Sequence, residues 1–466
     1  MRKRVTPSRG LPVEADRPIA ERTGRGWRVY LALAAVLAPL CVPAGPGQSA
    51  LLDVVNLVAL AVFFVVTMAG HKLRVPLAVP MLIIGAGSLL ATLGAPSVKL
   101  VALSMSQDVY LFAWFVVLVN VLRTERDLRL VRVAWMWTAA AVAVVALTQL
   151  LLRYGTLATL LGSRGLRPPA TLYNPNMLAD YMVISMFITI SLTGLVRKRV
   201  LLPVMALLAL GLLSTKSNGG MISFAAGAFI WVCVRAYTSR IPVRTLAAVA
   251  LLSVGMLGLG VWLNKEWGFG NGLLASLQEH TFAGRMEHSG ASRMRIWDQL
   301  ERSYARSPLG IGPGNSGALT LTIAERERPD SYRSKEAHSD YLAYAIERGP
   351  LGIIGLLSLT VVMFVQVGTY WRHRPHRGAG RRRYSRWTAG MAAALAASAV
   401  HSTVIEKLHF RHFWLLAAIV VASAMVAAQR AARRPVVQET QAQPVTLRPA
   451  LTSGPRGRLL ARGMAS

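Results

Sequence analysis

The sequence is poor in the residues that build covalent scaffolds and soluble binding domains. Only 2 of its 466 residues are cysteine. Cys41 and Cys233 both lie inside apolar runs, which excludes a disulfide framework or a cysteine metal site and leaves both as small side chains for filling space. Acidic residues are scarce as well: 21 Asp and Glu stand against 52 Lys and Arg, a net charge of +31. Charged residues of both signs make up 16% of the chain, well short of the about 25% usual in soluble proteins. No Asp-x-Asp pair, no His/Cys/Asp cluster at metal spacing and no Walker lysine–serine occurs. A nucleotide site is therefore not expected, nor is a metal or any other cofactor. Repeats of fixed period and coiled-coil heptads are also missing.

What fills the chain is apolar sequence, 53% of all residues. Runs close to membrane-spanning length recur at 28–43, 49–70, 75–94, 104–122, 131–152, 173–195, 199–214, 219–236, 243–263, 341–371, 387–404 and 410–429. This predicts an all-α polytopic transmembrane bundle of about twelve spans. The expected organisation is a basic cytoplasmic tail over 1–27, nine helices within 28–263, one large extracytoplasmic loop over 264–340, three helices within 341–429 and a second cytoplasmic tail over 430–466. Both tails read as disordered. The first apolar run follows a long basic stretch and is expected to be retained rather than cleaved.

The charge is not spread along a soluble face. With the N-terminus in the cytoplasm, the cytoplasmic segments carry 34 Lys and Arg and the short outer segments carry 7. That bias sets the orientation and argues against nucleic acid as the partner. It puts the 264–340 loop on the outer side of the plasma or inner membrane. The loop is nearly charge-balanced, so its arginines need a reason other than topology. Two short helices are expected in it, about 271–283 and 291–306.

Four polar stretches interrupt the apolar pattern at outer helix ends. Asn174 followed by Pro175 fits an N-cap with proline at the first helical position, and helix N-termini attract anions. Arg167 lies close enough upstream to share such an anion. Asn176 and Asp180 are four apart and share a helix face. Asp180, roughly 6–9 Å inside the helix at 1.5 Å per residue, marks either a cavity or a structural partner. In Ser214–Gly220, Ser217 or Asn218 can cap the eighth span, and Lys216 can add charge to a pocket. The third stretch holds Arg293 and Arg295 just before Trp297. Guanidinium groups grip phosphate oxygens in a fork, although the same residues also suit a solvated face on an interfacial helix. Next comes a glycine turn, Pro308–Gly314, which resembles a phosphate cradle only superficially and is expected to fold the loop back over the membrane face.

The fourth stretch is His338, just before a cap at Ser339 or Asp340. Histidine is the usual general base near neutral pH. Glu347 and Arg348 follow in the same helix, where Gly349-Pro350 predicts a kink. His401, Glu406, Lys407 and His409, around the last outer hairpin, are candidates to line the site.

Taken together, these motifs resemble the O-antigen ligase and O-antigen polymerase family of bacterial membrane glycosyltransferases, over roughly 160–410. The family's Arg, Gly and Asn-Pro-Asn appear as Arg167, Ala170 and Asn174-Pro175-Asn176. Its Arg-x-x-Ile-Trp and Pro-Leu-x-Gly-x-Gly-x-Gly-Asn run from Arg293 through Ile296-Trp297 to Pro308-Leu309, Gly310, Gly312 and Gly314-Asn315. Its His-Asn-x-Tyr-Leu and Glu-x-Gly-x-x-Gly appear as His338, Tyr341-Leu342, Glu347, Gly349 and Gly352. Three positions depart from the pattern: Ala170 replaces a glycine, Ser339 an asparagine and Asn218 an arginine.

The resemblance implies a GT-C-like fold. It implies metal-independent transfer of a glycan from an undecaprenyl diphosphate to a hydroxyl on lipid A core or on another glycan repeat. His338 would be the catalytic base. Arg167, Arg293 and Arg295 would bind the diphosphate, with Asn174, Asn176, Asp180, Lys216 and Glu347 as possible pocket residues. The competing expectation is a transporter or flippase of lipid-linked glycan or a small anion, which would place its polar groups near the bilayer midplane.

Overall fold

The computed structural model describes residues 24–41, 50–68, 70, 73–152, 167–172, 174–239, 297–298, 300–302, 304–316, 338–375 and 378–432. Among these, eleven α-helices account for almost all regular structure: α1 (Arg25–Leu37), α2 (Leu51–Met68), α3 (Ala78–Ala91), α4 (Val98–Val121), α5 (Glu125–Leu151), α6 (Pro175–Ser191), α7 (Lys198–Ser214), α8 (Asn218–Ser239), α9 (Asp340–Arg372), α10 (Gly378–His401) and α11 (Arg411–Ala432). A 3-10 turn, Thr92–Gly94, extends α3. Each helix falls on one of the expected apolar runs. The remaining run, 243–263, lies outside the described residues, as do the expected loop helix 271–283 and the tails except for 24–27 and 430–432, where the residues from Arg25 and up to Ala432 belong to α1 and α11. The helical stretches at 297–298, 300–302 and 304–306 fall within the second expected loop helix.

Six helices, α2, α4, α5, α8, α9 and α11, are long and apolar enough to cross a membrane. Their outward faces bear this out. Leu57, Phe64, Val109, Phe229 and Val361 are each at least 60% exposed. Leaving such a side chain in water forgoes about 1.5–3 kcal/mol, a loss that hydrocarbon removes.

Three helices start six or more residues earlier than hydropathy places them, α4 at Val98 among them. α5 begins at Glu125 and α10 at Gly378, so the charged segments before their apolar runs are helical too. The Thr124 side chain caps α5 by accepting from the Asp127 amide at 3.2 Å. Arg383 Nη2 reaches Glu125 at 2.6 Å, and Arg430 reaches the same carboxylate at 3.2 Å. Charge pairing extends these helices beyond the apolar signal that locates them.

Helices α6 and α11 form the buried centre. Lipid supplies no apolar driving force between helices, so small residues that allow close approach decide the contacts. A Cβ on Gly227 of α8 would come within 2.4 Å of Phe187 in α6 and 2.9 Å of the Ala393 carbonyl in α10. One on Gly390 of α10 would come within 2.8 Å of the Phe187 carbonyl. α6, α8 and α10 thus meet almost backbone to backbone. Antiparallel alternation then brings the starts of α6, α8, α9 and α11 and the ends of α7 and α10 to one end of the bundle, termed the site end below. Arg28–Asp127 at 3.1 Å and the two arginines on Glu125 lie at the opposite end.

α9 is broken, as its Gly-Pro predicts. Gly349 has φ 63° and ψ −162°, and Pro350 follows. The break receives the glycine turn. A Cβ on Gly349 would come within 2.5 Å of the Leu309 carbonyl, and one on Gly310 within 2.7 Å of the Glu347 carbonyl. Gly349→Ala should therefore destabilise the protein by about 1–3 kcal/mol, combining a forbidden backbone with a clash. Melting of the detergent-purified variant checks this, and an unchanged midpoint would refute it.

Candidate functional site

Arg167 joins three helix ends. Its Nε donates to the Thr215 carbonyl at 2.7 Å, and its Nη2 to Asn176 Oδ1 at 2.8 Å. Thr215 closes α7, where the helix dipole favours a cation. Asn174 caps α6 by accepting from the Met177 amide at 2.8 Å, with Pro175 in the first turn. Ser217 Oγ donates to the same Asn176 oxygen at 3.0 Å and accepts from the Gly220 amide at 3.3 Å. Ser217 is thus the residue that caps α8. Lys216, half-buried with φ 50°, sits in the same turn beside Thr215.

Ala170 follows Arg167 in a left-handed conformation, φ 51°, which explains why a glycine suits this position. Gln149 holds it on both sides: its Oε1 accepts from the Ala170 amide at 2.8 Å, and its Nε2 donates to the Ala170 carbonyl at 3.2 Å.

One turn deeper in α6 lies Asp180, only 1% exposed. His401 Nδ1 at 2.9 Å and Lys407 Nζ at 3.2 Å donate to its Oδ1, and His412 Nε2 at 2.8 Å donates to its Oδ2. These bonds fix the tautomers, Nδ1–H in His401 and Nε2–H in His412. Lys407 Nζ also donates to Ser398 Oγ. Lys407 lies in the turn between α10 and α11. Burial pulls its ammonium below the usual lysine range, while the Asp180 carboxylate acts against that. Tyr181 meets the His412 ring edge-on at 5.4 Å. A Cβ on Gly219 would lie 2.6 Å from Val404 and 3.3 Å from His401, so glycine lets the start of α8 abut this group. The Arg167 and Asp180 groups are consequently neighbours.

His338 lies on the other side of the 402–410 turn. It is half-buried with φ 55°, and its amide donates to Glu406 Oε1 at 3.1 Å. Ser339 caps α9 by accepting from the Leu342 amide at 3.4 Å. The Asp340 amide donates to the Ser402 carbonyl at 2.9 Å, and Asp340 Oδ1 accepts from the amides of Lys407 and Leu408 at 2.9 and 3.3 Å. A small cleft opens beside this junction, lined by Tyr341, Leu356, Ser398, Ser402, Leu408 and Phe413.

Glu347 lies apart from these residues. Its carboxylate accepts from the Gly314 amide at 2.9 Å, the Ser316 amide at 3.1 Å and Ser316 Oγ at 2.6 Å. Gly312–Gly317 has the spacing Gly-x-Gly-x-x-Gly, but no strand precedes it, and the anion that its described amides hold is this internal carboxylate. The glycine turn is clamped onto α9, with the amides of Ile311 and Gly312 donating to the carbonyls of Ile346 and Glu347 at 3.0 and 2.9 Å. Arg348 does not pair with Glu347. It reaches Asp108 Oδ2 at 2.5 Å and Ser88 Oγ at 2.8 Å, which ties α9 to α3 and α4. Trp297 and Leu300 pack with Ile311, Leu342 and Ala343, so the described part of the loop rests on the first turn of α9.

A family model described as O-antigen ligase matches residues 203–357. That match covers about a third of the chain and supports the O-antigen ligase family. Together with six helices long and apolar enough to cross a membrane, the match supports a membrane glycan-processing function. No curated protein matches the chain. The O-antigen ligase match takes in Lys216, Arg293, Arg295, His338 and Glu347. It leaves Arg167, Asn174, Asn176 and Asp180 on one side and His401, Lys407 and His412 on the other. It is narrower than the motif resemblance.

The structure therefore gathers Arg167, Asn174, Asn176 and Lys216 at the α6–α7–α8 junction, Asp180 beneath them and His338 across the turn. Glu347 is taken up in holding the glycine turn. Arg293 and Arg295 lie outside the described residues. Sequence reasoning missed His412, whose only signal is a histidine at the start of an otherwise apolar helix. Asp180→Ala should cost about 3–5 kcal/mol, since it strands the buried Lys407 ammonium without a counter-ion. Asp180→Asn keeps the acceptor oxygen and should cost less. Denaturation of both variants in detergent measures the order, and equal costs would contradict this account.

Proposed function

We propose that this protein is a metal-independent, GT-C-like glycosyltransferase of twelve spans, active on the outer face of the inner membrane. It transfers a glycan from an undecaprenyl-diphosphate carrier to a hydroxyl acceptor, as a ligase or as a polymerase. The observation that carries the reading is the convergence of Arg167 and His338, 171 positions apart, on one end of the bundle: His338 is bonded to Glu406, and Arg167 to Asn176 of α6, whose Asp180 meets His401 of the same 401–412 segment. A site for transfer at the membrane surface needs a cation and a base at the same helix ends. Polar residues at a transporter's midplane would be arranged differently.

In the proposed reaction an imidazole nitrogen of His338 takes the proton from the acceptor hydroxyl. The acceptor oxygen forms a bond to the anomeric carbon as the bond from that carbon to the diphosphate oxygen breaks. The lipid diphosphate leaves with the electron pair, and its growing negative charge is met by preorganised guanidinium groups, Arg167, Arg293 and Arg295 in this reading. Lys216 adds positive charge beside Arg167. Asn174 and Asn176 hold the Arg167 end in place, and the N-terminus of α6 favours an anion there.

His338→Ala should abolish glycan transfer while leaving protein level in the membrane unchanged. Arg167→Lys, which keeps the charge and loses the fork, should lower turnover by about 10–1000-fold. Transfer by purified protein from lipid-linked glycan, with the glycan profile of a deletion strain, checks both. Full activity in the His338 variant would refute the base assignment. Flipping or uptake without any transfer product would refute the enzyme reading.

A further inference from the structure

His338 is one of four non-glycine residues described with positive φ. A left-handed residue outside glycine persists where its surroundings over-determine it, and such residues concentrate at functional sites. The surroundings here can be named. Glu406 Oε1 accepts from the His338 amide, so the carboxylate fixes the backbone that aims the imidazole. Two residues on, Asp340 grips the same turn three times, through the Ser402 carbonyl and the amides of Lys407 and Leu408. Tyr341 OH donates to the Ala399 carbonyl at 3.1 Å. Lys407, next to Glu406, carries the restraint down to Asp180 in α6.

We infer that Glu406 is a positioning residue for His338, and that Asp340 and the Asp180–Lys407 pair lock the 402–410 turn that presents it. The inference rests on the reading of His338 as the catalytic base. Asp180 stands in the same helix as Asn176, which binds Arg167. The lock thus sets the distance between the cationic half of the site and the basic half. A loosened turn lets His338 leave the left-handed conformation and swings its ring off the acceptor hydroxyl. Donor binding, governed by the arginine half, is left almost as it was.

The test uses the full chain, purified and returned to lipid vesicles, with Glu406→Ala and Glu406→Gln. Gln keeps a carbonyl oxygen that can accept from the His338 amide, whereas Ala removes it. Glu406→Ala should lower kcat by about 10–100-fold with the donor KM within about twofold, the signature of lost alignment rather than lost binding. Glu406→Gln should stay within about threefold of the parent protein. Hydrogen exchange of the backbone around His338 should quicken in Glu406→Ala and not in Glu406→Gln. That readout needs no glycan. Should the parent protein transfer nothing, the functional reading fails while the exchange pattern still tests the tie. Transfer by the parent with unchanged kcat in Glu406→Ala would overturn the inference alone. So would equal losses in the Ala and Gln variants, or exchange around His338 that neither variant alters.

Discussion

The site end of this bundle depends on compensating one buried carboxylate. An ion moved out of water costs several kcal/mol even after relaxation, so Asp180 can stay charged at 1% exposure only if its partners arrive in register. They come from three places: His401 at the end of α10, Lys407 in the turn and His412 at the start of α11. All are more than 200 positions away in sequence. In a lipid environment apolar faces do not choose between helix registers, because any sliding buries the same kind of surface. Charge compensation does choose. Sliding α6 by one turn, about 5.4 Å, would break all three contacts to Asp180 at once. The glycine and alanine contacts among α6, α8 and α10 bring the backbones close, and the Asp180 group sets where along their length they stop.

A second constraint acts on α9. Its first two turns, from Asp340 to Arg348, belong to the polar layer, and the rest belongs to the membrane. Gly349 separates the two. Leu309 fills the space that a Cβ would need, Glu347 anchors the glycine turn, and Arg348 reaches across to Asp108. The break therefore lets the site-end segment follow the turn at 402–410 while the membrane segment follows α3. His338 inherits its position from the first of these.

Much of this was legible in the sequence. Helix places followed from apolar run length alone, because the bilayer imposes that length and little else competes with it. The caps at Asn174 and Ser339 followed from local chemistry, as did the break at Gly349-Pro350. The starts of α5 and α10 did not, since hydropathy cannot see a charged helix that Glu125 and its arginines stabilise. The motif resemblance makes Glu347 a possible pocket residue, whereas its carboxylate holds the glycine turn. Its partners, Gly314 and Ser316, lie more than 30 positions upstream in a turn that looks like an anion cradle in its own right. The three partners of Asp180 were beyond reach for the same reason. His401 and Lys407 could be named as site-lining candidates, but pairing them with Asp180 needed the fold.

Ala170 shows how a departure from a motif can preserve what the motif does. A glycine there would adopt φ 51° at no steric cost, whereas alanine gives up about 1–2 kcal/mol. Gln149, 1% exposed, returns two hydrogen bonds to the Ala170 backbone, each worth about 0.5–1.5 kcal/mol net. The two quantities are of one size. The conformation that carries Arg167 to Thr215 and Asn176 is therefore kept by a side chain from α5 instead of by the freedom of glycine. Both ends of the buried Gln149 amide are thereby engaged with the alanine backbone.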